Sequence, residues 1–415
     1  MTETLRPDAL IVGGGPAGLT AARSLRRLGV AGVLVLDREE EAGGIPRHSD
    51  HLGYGIRDLR SVMRGPAYAR RLVDRALQAG AEIITSATVT GWAGERSLLA
   101  TTPRGRIRVD AGAVVLATGA RERPRAARMV PGDRPLGVFT TGQLQQEVHL
   151  RHAAVGSRAV IVGSELVSWS AVLTLRHAGC SVALMTTEFE SPEVYAPVAF
   201  AGRAFLDGPI ARATRVVRII GRHRVEAVET EHLMTGHRRM VECDTVVFTG
   251  DWVPDHELAR SAGIDLDPGH RGPLVDTDLA TSVDGVFAAG NLLHPVDTAD
   301  VAALDGRHVA ASVVRWLGDG PASRSGVRLV ASDPFDWVAP GLVGDLRFGP
   351  PRDRLLLWSH HAQAFPTVVA RQGRAVIGRR TLPWPVSPGR VFRVPWSLVR
   401  RADPLGGDVT IGLNR

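Results

Sequence analysis

The sequence predicts an α/β fold with two Rossmann-type strand–helix–strand units and a separate β-rich tail. Three observations carry this reading. A glycine-rich turn follows an apolar strand at residues 9–18. A second strand, turn and helix of the same layout begins at Ala159. Beyond residue 320, helical periodicity gives way to short β-like runs rich in Pro and Gly. The chain has 415 residues, enough for two or three domains with a sizeable core.

Residues 9–13 read Ala-Leu-Ile-Val-Gly, a strand that runs into Gly13-Gly14-Gly15-Pro16-Ala17-Gly18. An apolar-periodic helix follows to Leu28, Gly29 ends it, and Val33 to Leu36 form the next strand with Asp37 at its end. Each glycine of this G-x-G-x-x-G has a physical role. Gly13 permits the tight turn, Gly15 lets backbone approach a diphosphate, and Gly18 allows close helix–strand packing. The helix start offers N–H groups and a positive dipole end to phosphates. Asp37, 24 residues after Gly13, can accept hydrogen bonds from ribose hydroxyls. Strand, turn, helix, strand and acid in this order point to a bound dinucleotide.

Composition narrows the function. Hydrophobic residues make up 44% and charged residues 22%, as in an ordinary globular chain. No apolar run approaches the ~18–20 residues that span a bilayer, and the polar start of the chain has no signal-peptide layout, so a cytoplasmic protein is expected. The net charge is +7 and there is no lysine, so all of the basic charge is arginine. Lysine Schiff-base chemistry, including that of pyridoxal phosphate enzymes, is excluded. The arginines are scattered and no recognition motif accompanies them, so nucleic acid is not an expected partner. Cys180 and Cys243 are the only cysteines. Without C-x-x-C or a four-cysteine set, the chain has no local dithiol relay and no iron–sulfur or zinc site of that kind. Both read as buried apolar residues.

Further segments sharpen the ligand. Val114 to Gly119 is a buried strand ending in Ala-Thr-Gly. Val286 to Asn291 is another, ending in Gly-Asn. Gly43-Gly44-Ile45-Pro46-Arg47-His48 is a loop where backbone can approach a ligand. These segments resemble the FAD-binding motifs of the two-dinucleotide-fold flavoproteins, the group of thioredoxin reductase and the pyridine nucleotide–disulfide reductases. The resemblance implies two Rossmann-like (βαβ) dinucleotide-binding domains, the second inserted in the first. The small C-terminal β-rich module follows them. The expected boundaries are 1–140 and 255–320 for the FAD domain, 141–254 for the NAD(P)-binding-like insert and 321–415 for the β-rich module. In that group the last motif ends in Gly-Asp, whose Asp binds a ribityl hydroxyl; here Asn291 stands there, and an amide can still hydrogen-bond. Asp297-Thr298-Ala299 precedes a helix to about Trp316. The resemblance turns its positive end toward the flavin N1 and C2 carbonyl, where it would stabilise the reduced ring. The residues implied to hold FAD are Gly13, Gly15, Pro16, Ala17, Gly18, Asp37, Arg38, Gly43, Gly44, Arg47, Val89, Thr118, Gly119, Gly290, Asn291, Thr298 and Ala299.

The second unit runs from Ala159 through Gly163, a helix to His177 and a strand at Ser181 to Met185, with Asp244 to Gly250 as its terminal strand and 251–255 as a turn. The family places its nicotinamide nucleotide here. Position therefore suggests NAD(P)H, while chemistry opposes it: Glu165 occupies the second glycine position and Ser168 the third. Glu188 is the available ribose acid. The alternative is a domain that only supports the fold.

A narrower resemblance rests on residues 43–48, on Ala-Thr-Gly-Ala-Arg-Glu-Arg-Pro at 117–124, on Thr-Gly-Gln-Leu-Gln at 141–145, and on Ala-Gly-Asn-Leu-Leu-His-Pro-Val-Asp-Thr-Ala-Asp at 289–300. These are similar to the FAD subunits of amine, opine and hydroxyproline oxidoreductases and to one component of hydrogen cyanide synthase. The likeness covers roughly residues 8–317. It implies an amine or amino-acid-type small-molecule substrate and a second flavoprotein subunit or iron–sulfur protein as partner, within an oligomer. Any iron–sulfur relay must come from another polypeptide.

In the tail, Val327–Ala331, Arg354–Trp358, Thr367–Ala370, Ala375–Ile377, Val391–Val394 and Val409–Leu413 read as strands of a small antiparallel module, with a hairpin turn at Gln372-Gly373-Arg374. Trp337, Trp358, Trp384 and Trp396 form either its core or a partner surface. Arg47 and His48 are the candidate catalytic residues, because their loop should approach the cofactor. His48 can carry a proton near neutral pH, and Arg47 can pair with phosphate or carboxylate. His51, His294 and Trp252 are weaker candidates. No histidine shows metal-ligand spacing, so no metal is expected. The function expected is an FAD-dependent oxidoreductase moving electrons between an amine-type substrate or NAD(P)H and an acceptor or partner. The alternative is a non-catalytic FAD-bearing subunit that supports a separate oxidase.

Overall fold

Four-residue apolar runs such as Ala9–Val12, Val33–Leu36 and Ala113–Leu116 are buried along their whole length. That is what a parallel sheet covered on both faces requires. The structure is a computed structural model describing residues 3–194, 199–200, 202–295, 297–321 and 326–414. Its chain forms two compact units. The first is Met1–Arg47, Gly53–Ala120 and Pro254–Arg415, and the second is His48–Leu52 and Arg121–Val253.

The first unit is built on a five-stranded parallel sheet in the order Val286–Ala288, Ala113–Leu116, Ala9–Val12, Val33–Leu36 and Glu82–Ile84. Helix Pro16–Arg27 starts with proline in its first turn, where a missing N–H costs nothing. It packs against the long helix Ala299–Asp319. A Cβ at Gly306 would lie 2.1 Å from the Ala17 carbonyl oxygen, so the two helices meet backbone to backbone there.

The second unit repeats the plan. Its parallel sheet runs Val138–Thr140, Thr245–Phe248, Arg158–Val162, Ser181–Thr186 and Ile210–Ala211. Ala159 and Ile161 pack with Leu144 and Val172 of the helices, while Val160 packs with Val216 and Val228 of an antiparallel meander. This is the two-sided burial that strand alternation dictates. The meander, Thr214–Ile220, Ala227–His232 and Arg238–Glu242, was not foreseen from the sequence.

Two expected boundaries shift. The second unit begins at Arg121, not 141, because Glu122 accepts hydrogen bonds from Gly142 N (2.8 Å) and Gly250 N (3.3 Å). It also takes in 48–52, because Ser49 Oγ lies 3.2 Å from Gln145 Nε2 in a buried cluster with Ser170. The expected turn at 251–255 contains a short strand, Trp252–Pro254.

The tail carries its own core, including Leu355, Val368, Phe392 and Ile411, and belongs to the first unit. It comprises two sheets. One orders Leu329–Ala331, Val409–Leu413, Thr367–Gln372 and Ala375–Thr381, and the other orders Phe335–Ala339, Arg354–Ser359 and Phe392–Pro395. The module is not wholly antiparallel, since Leu329–Ala331 pairs parallel with Val409–Leu413. The hairpin at Gly373 is present. Strand Phe335–Ala339 was missed, because prolines flank it and Asp336 interrupts its apolar run. Trp337 and Trp396 are buried and Trp358 stacks on Trp337, whereas Trp384 is exposed.

Gly306→Val should clash at the helix crossing and lower stability by ~1–3 kcal/mol, read as a fall in the calorimetric unfolding temperature. A variant as stable as wild type would mean that the helices do not cross this closely.

Candidate functional site

The first glycine turn has two closed positions and one open one. A Cβ at Gly13 (φ +109°) would meet Ala117 O at 2.4 Å, and one at Gly18 would meet Gly13 O at 1.9 Å. Both positions are closed to any side chain. Gly15 differs: no atom lies within 4 Å of a Cβ built there, so open space adjoins the helix start. Gly15 is the N-cap residue, with no side chain capping the helix. Uncapped N–H groups beside an open cradle suit an anionic diphosphate. Pro16 and Ala17 open the helix, and Ala17 is buried.

Asp37 is buried at the end of its strand. Its Oδ2 accepts from Gly14 N (2.6 Å) and its Oδ1 from Glu39 N (2.8 Å). Burial raises its pKa, and the two backbone N–H bonds pull the other way. Each oxygen keeps a second acceptor site. Arg38 is exposed and pairs with Asp255 at 3.6 Å. Gly43 N donates to Gly14 O (2.7 Å), and a Cβ at Gly44 would lie 3.0 Å from Gly15 Cα. The Gly43–Gly44 loop therefore forms one wall beside the cradle. Arg47 folds back on that loop, with Nη1 donating to Glu41 O (2.5 Å) and Nη2 3.8 Å from a Glu39 carboxylate oxygen. Its neighbour His48 is buried and belongs to the second unit. The structure thus assigns the two candidate catalytic residues to different units. Val89 sits partly buried in strand Thr88–Gly94. Thr118 Oγ1 donates to Asp255 O (2.8 Å), and Gly119 O accepts from Asp255 N (2.9 Å).

Gly290 packs on the same helix start, since its Cβ would meet Ala17 Cβ at 2.7 Å. Asn291 Nδ2 donates to Asp297 O (2.9 Å), and Asn291 Oδ1 is buried with no hydrogen-bond partner. A buried acceptor without a donor is costly unless a ligand supplies one. The ribityl hydroxyl implied for this position is such a donor. Thr298 is the N-cap residue of the long helix, with no side chain capping it, and Ala299 is its first residue. Together with the cradle at Gly15, these residues fit FAD.

The second glycine turn differs. Gly163 (φ +120°) is closed, its Cβ meeting Thr249 Oγ1 at 2.2 Å. Ser168 fits at the third glycine position because its hydroxyl bonds Thr249 Oγ1 at 2.6 Å. Glu165 takes the N-cap position, and its carboxylate lies against Gly250, where a Cβ would meet Oε1 at 2.1 Å. Ser164 Oγ bonds the buried carboxylate of Glu193, which also accepts from Thr187 Oγ1 (2.8 Å). Glu188 is exposed. Two buried carboxyl groups thus line the second turn, where the first turn has open space. Sequence reading found Glu165 but not Glu193 or Arg128, whose guanidinium donates to Thr249 O and Gly250 O at 2.8 Å each.

Of the weaker candidates, His294 is buried and bonds Asp305 through Nε2, while His51 bonds Ser49 Oγ at 3.1 Å and Trp252 is partly exposed. Burial pushes the Cys180 and Cys243 thiols up to about 12, so both are poor nucleophiles. Among the described residues, Asp333, His360 and His361 bring ligating atoms within 4.8 Å of one another on the tail's surface. The sequence spacing gave no sign of this group.

Several known proteins resemble this chain. The family model described as pyridine nucleotide-disulphide oxidoreductase matches residues 7–306. The ferredoxin–NAD(+) reductase component of the Pseudomonas putida benzene 1,2-dioxygenase system is 29% identical over 293 residues, which are 68% of this chain and 66% of that protein. An opine oxidase subunit of Agrobacterium tumefaciens is 27% identical over 321 residues, covering 68% of this chain and 61% of its own length. The chain therefore matches a little under two thirds of either relative. Among solved structures, T. acidophilum thioredoxin reductase superposes with a TM-score of 0.63 at 22% identity, over 74% of this chain and 97% of that one. P. horikoshii L-proline dehydrogenase gives 0.57 at 20% identity, over 77% and 57%. These structures share the fold. Among the described residues, no helix is long and apolar enough to cross a membrane.

The carboxylates of the second turn predict a pH dependence. Burial and the nearby Glu193 raise Glu165 from 4.5 to about 8, and burial raises Glu122 from 4.5 to about 6. Both groups therefore stabilise the fold in their protonated forms. That contribution is full below about pH 4.5 and is lost as pH rises through 6 and then 8. Glu165→Gln cannot ionise, so its unfolding temperature should fall less than that of wild type between neutral and alkaline pH. Parallel profiles would count against the buried placement of this carboxyl.

Proposed function

The chain belongs to the pyridine nucleotide-disulphide oxidoreductase family, in which FAD is bound and NAD(P)H serves as electron donor, and from that premise we propose that it is the FAD-bearing component of a multi-component oxidoreductase. In this reading it moves electrons between an amine- or amino-acid-type substrate, met directly or through a second protein, and an acceptor protein. The observation that carries the reading is the contrast between the two glycine turns. The first leaves open space at Gly15, whereas Glu165 and Glu193 line the second. Bound FAD would supply the two-electron acceptor and donor.

The chain's own residues hold and orient that group. Backbone N–H groups after Gly15 take the diphosphate, Asp37 takes the ribose hydroxyls, and Asn291 Oδ1 accepts from the ribityl chain. Arg38, Gly43, Gly44, Val89, Thr118 and Gly119 line the remainder. Arg47 and His48 remain the proposed ionisable residues of the approach loop, Arg47 as a cation and His48 as a proton carrier. An iron–sulfur centre, where the pathway needs one, belongs to a partner polypeptide.

A second reading has specific support. The family and the ferredoxin–NAD(+) reductase likeness favour direct reduction by NAD(P)H. Anaerobic titration of the purified protein separates the two. We expect bleaching of the flavin's visible band with an amine or amino acid plus the co-expressed partner, and none within minutes with NADH or NADPH alone. Bleaching by either nicotinamide within seconds would establish the second reading.

Gly15→Leu tests the cofactor site itself. Because a Cβ at Gly15 meets no protein atom within 4 Å, the variant should unfold at the temperature of the flavin-free wild type yet be colourless. Stoichiometric FAD in that folded variant would move the diphosphate elsewhere.

A further inference from the structure

Two arginines of the β-rich tail reach acidic residues at and before the long helix Ala299–Asp319. Arg393, on strand Phe392–Pro395, places Nη2 2.6 Å and 2.8 Å from the two carboxylate oxygens of Asp297. Arg352 places Nη1 2.6 Å from Asp305, which also bonds His294. A third acid, Asp300, receives Arg57 N at 2.9 Å and its guanidinium at 3.2 Å. Every acid from residue 297 to 305 is therefore matched by an arginine. This has an electrostatic consequence at the helix start. A helix N-terminus carries roughly half a positive charge, and one buried unpaired carboxylate would more than cancel it. Asp297, whose side chain is 2% exposed, stands directly before the cap residue and receives Thr298 N at 2.8 Å. It has little water to screen it, so its charge is offset chiefly by Arg393.

Asp297 also sets the orientation of Asn291. Its backbone carbonyl accepts from Asn291 Nδ2 at 2.9 Å, which fixes the amide with Oδ1 as the remaining acceptor. That Oδ1 is buried without a protein donor.

We infer that the β-rich tail is a working part of the flavin site: Arg393, through Asp297, holds the Asn291 amide in its accepting orientation and keeps the start of the long helix electropositive. Arg393 and Asp297 are positioning residues. The inference rests on the reading that FAD occupies the first unit, and it gives the tail, which lies beyond the family match at residue 306, a defined task.

The test uses purified holoprotein and measures FAD dissociation constants and flavin midpoint potentials for wild type, Arg393→Ala, Asp297→Asn and the double variant. Arg393→Ala leaves a buried negative charge beside the helix start, so the reduced ring should bind about tenfold more weakly relative to the oxidised ring. For a two-electron couple this is a shift of about 30 mV to more negative potential. Asp297→Asn should shift the potential the other way. The double variant, with neither charge, should return toward wild type and keep its flavin even where Arg393→Ala folds poorly. A purely structural role for Arg393 predicts no such return. An unchanged potential and affinity in Arg393→Ala, or a double variant displaced as far as the single, would overturn the inference. Wild-type protein unable to hold any flavin would instead sink the reading of the first turn, and this inference with it.

Discussion

The organising constraint is the distance at which backbone must meet backbone around the first glycine turn. Gly13 is pressed against Ala117 O and Gly18 against Gly13 O so tightly that no side chain fits at either, while Gly15 faces open space. That asymmetry leaves the helix start open where an anionic group can approach. The closed positions hold the helix start rigidly at the sheet edge, and the open one leaves its N–H groups available. Gly290, packed on Ala17, and Gly306, packed on the Ala17 carbonyl, extend the same constraint to the long helix. Two helix N-termini thereby converge on one end of the sheet, which concentrates positive potential where an anionic cofactor would lie.

The second unit has the same frame with different chemistry. Its strand, turn and helix repeat the plan of the first, yet Glu165 stands at the position that is open in the first turn. Gly250, with no side chain, gives the carboxylate its resting place. Ser164, Thr187 and Ser168 then satisfy their neighbours, Glu193 and Thr249, by hydrogen bonds. The substitutions form a self-consistent polar cluster, and a self-consistent cluster is a stable alternative to a ligand.

Much of the first site was legible in the sequence because its requirements are local. A tight turn, a close approach and a terminal acid leave their mark within 24 residues from Gly13 to Asp37. What escaped was non-local. Ser49 joins the second unit through Gln145 and Ser170, about a hundred residues away. The unit boundary moved because Glu122 reaches Gly142 and Gly250. Asn291 was read as a simple stand-in for aspartate. Its orientation depends on Asp297, and Asp297 in turn on an arginine 96 positions further along. The orientation of Glu165 toward Gly250 could not be read either, because a motif names the residue but not the direction of its side chain. Periodicity found most strands of the tail, though not that two of them run parallel, since strand direction is settled by connections between distant segments.

The pairing of tail arginines with acids of the long helix has a structural consequence. Asp297 and Asp305 are nearly solvent-free, and each has its countercharge on a segment beyond residue 350. Removing the arginines would leave buried aspartates short of their countercharges, which is destabilising. The tail is therefore tied to the long helix by charge as well as by chain. Cutting the chain near residue 320 while keeping those two aspartates would leave two nearly solvent-free negative charges without their arginines.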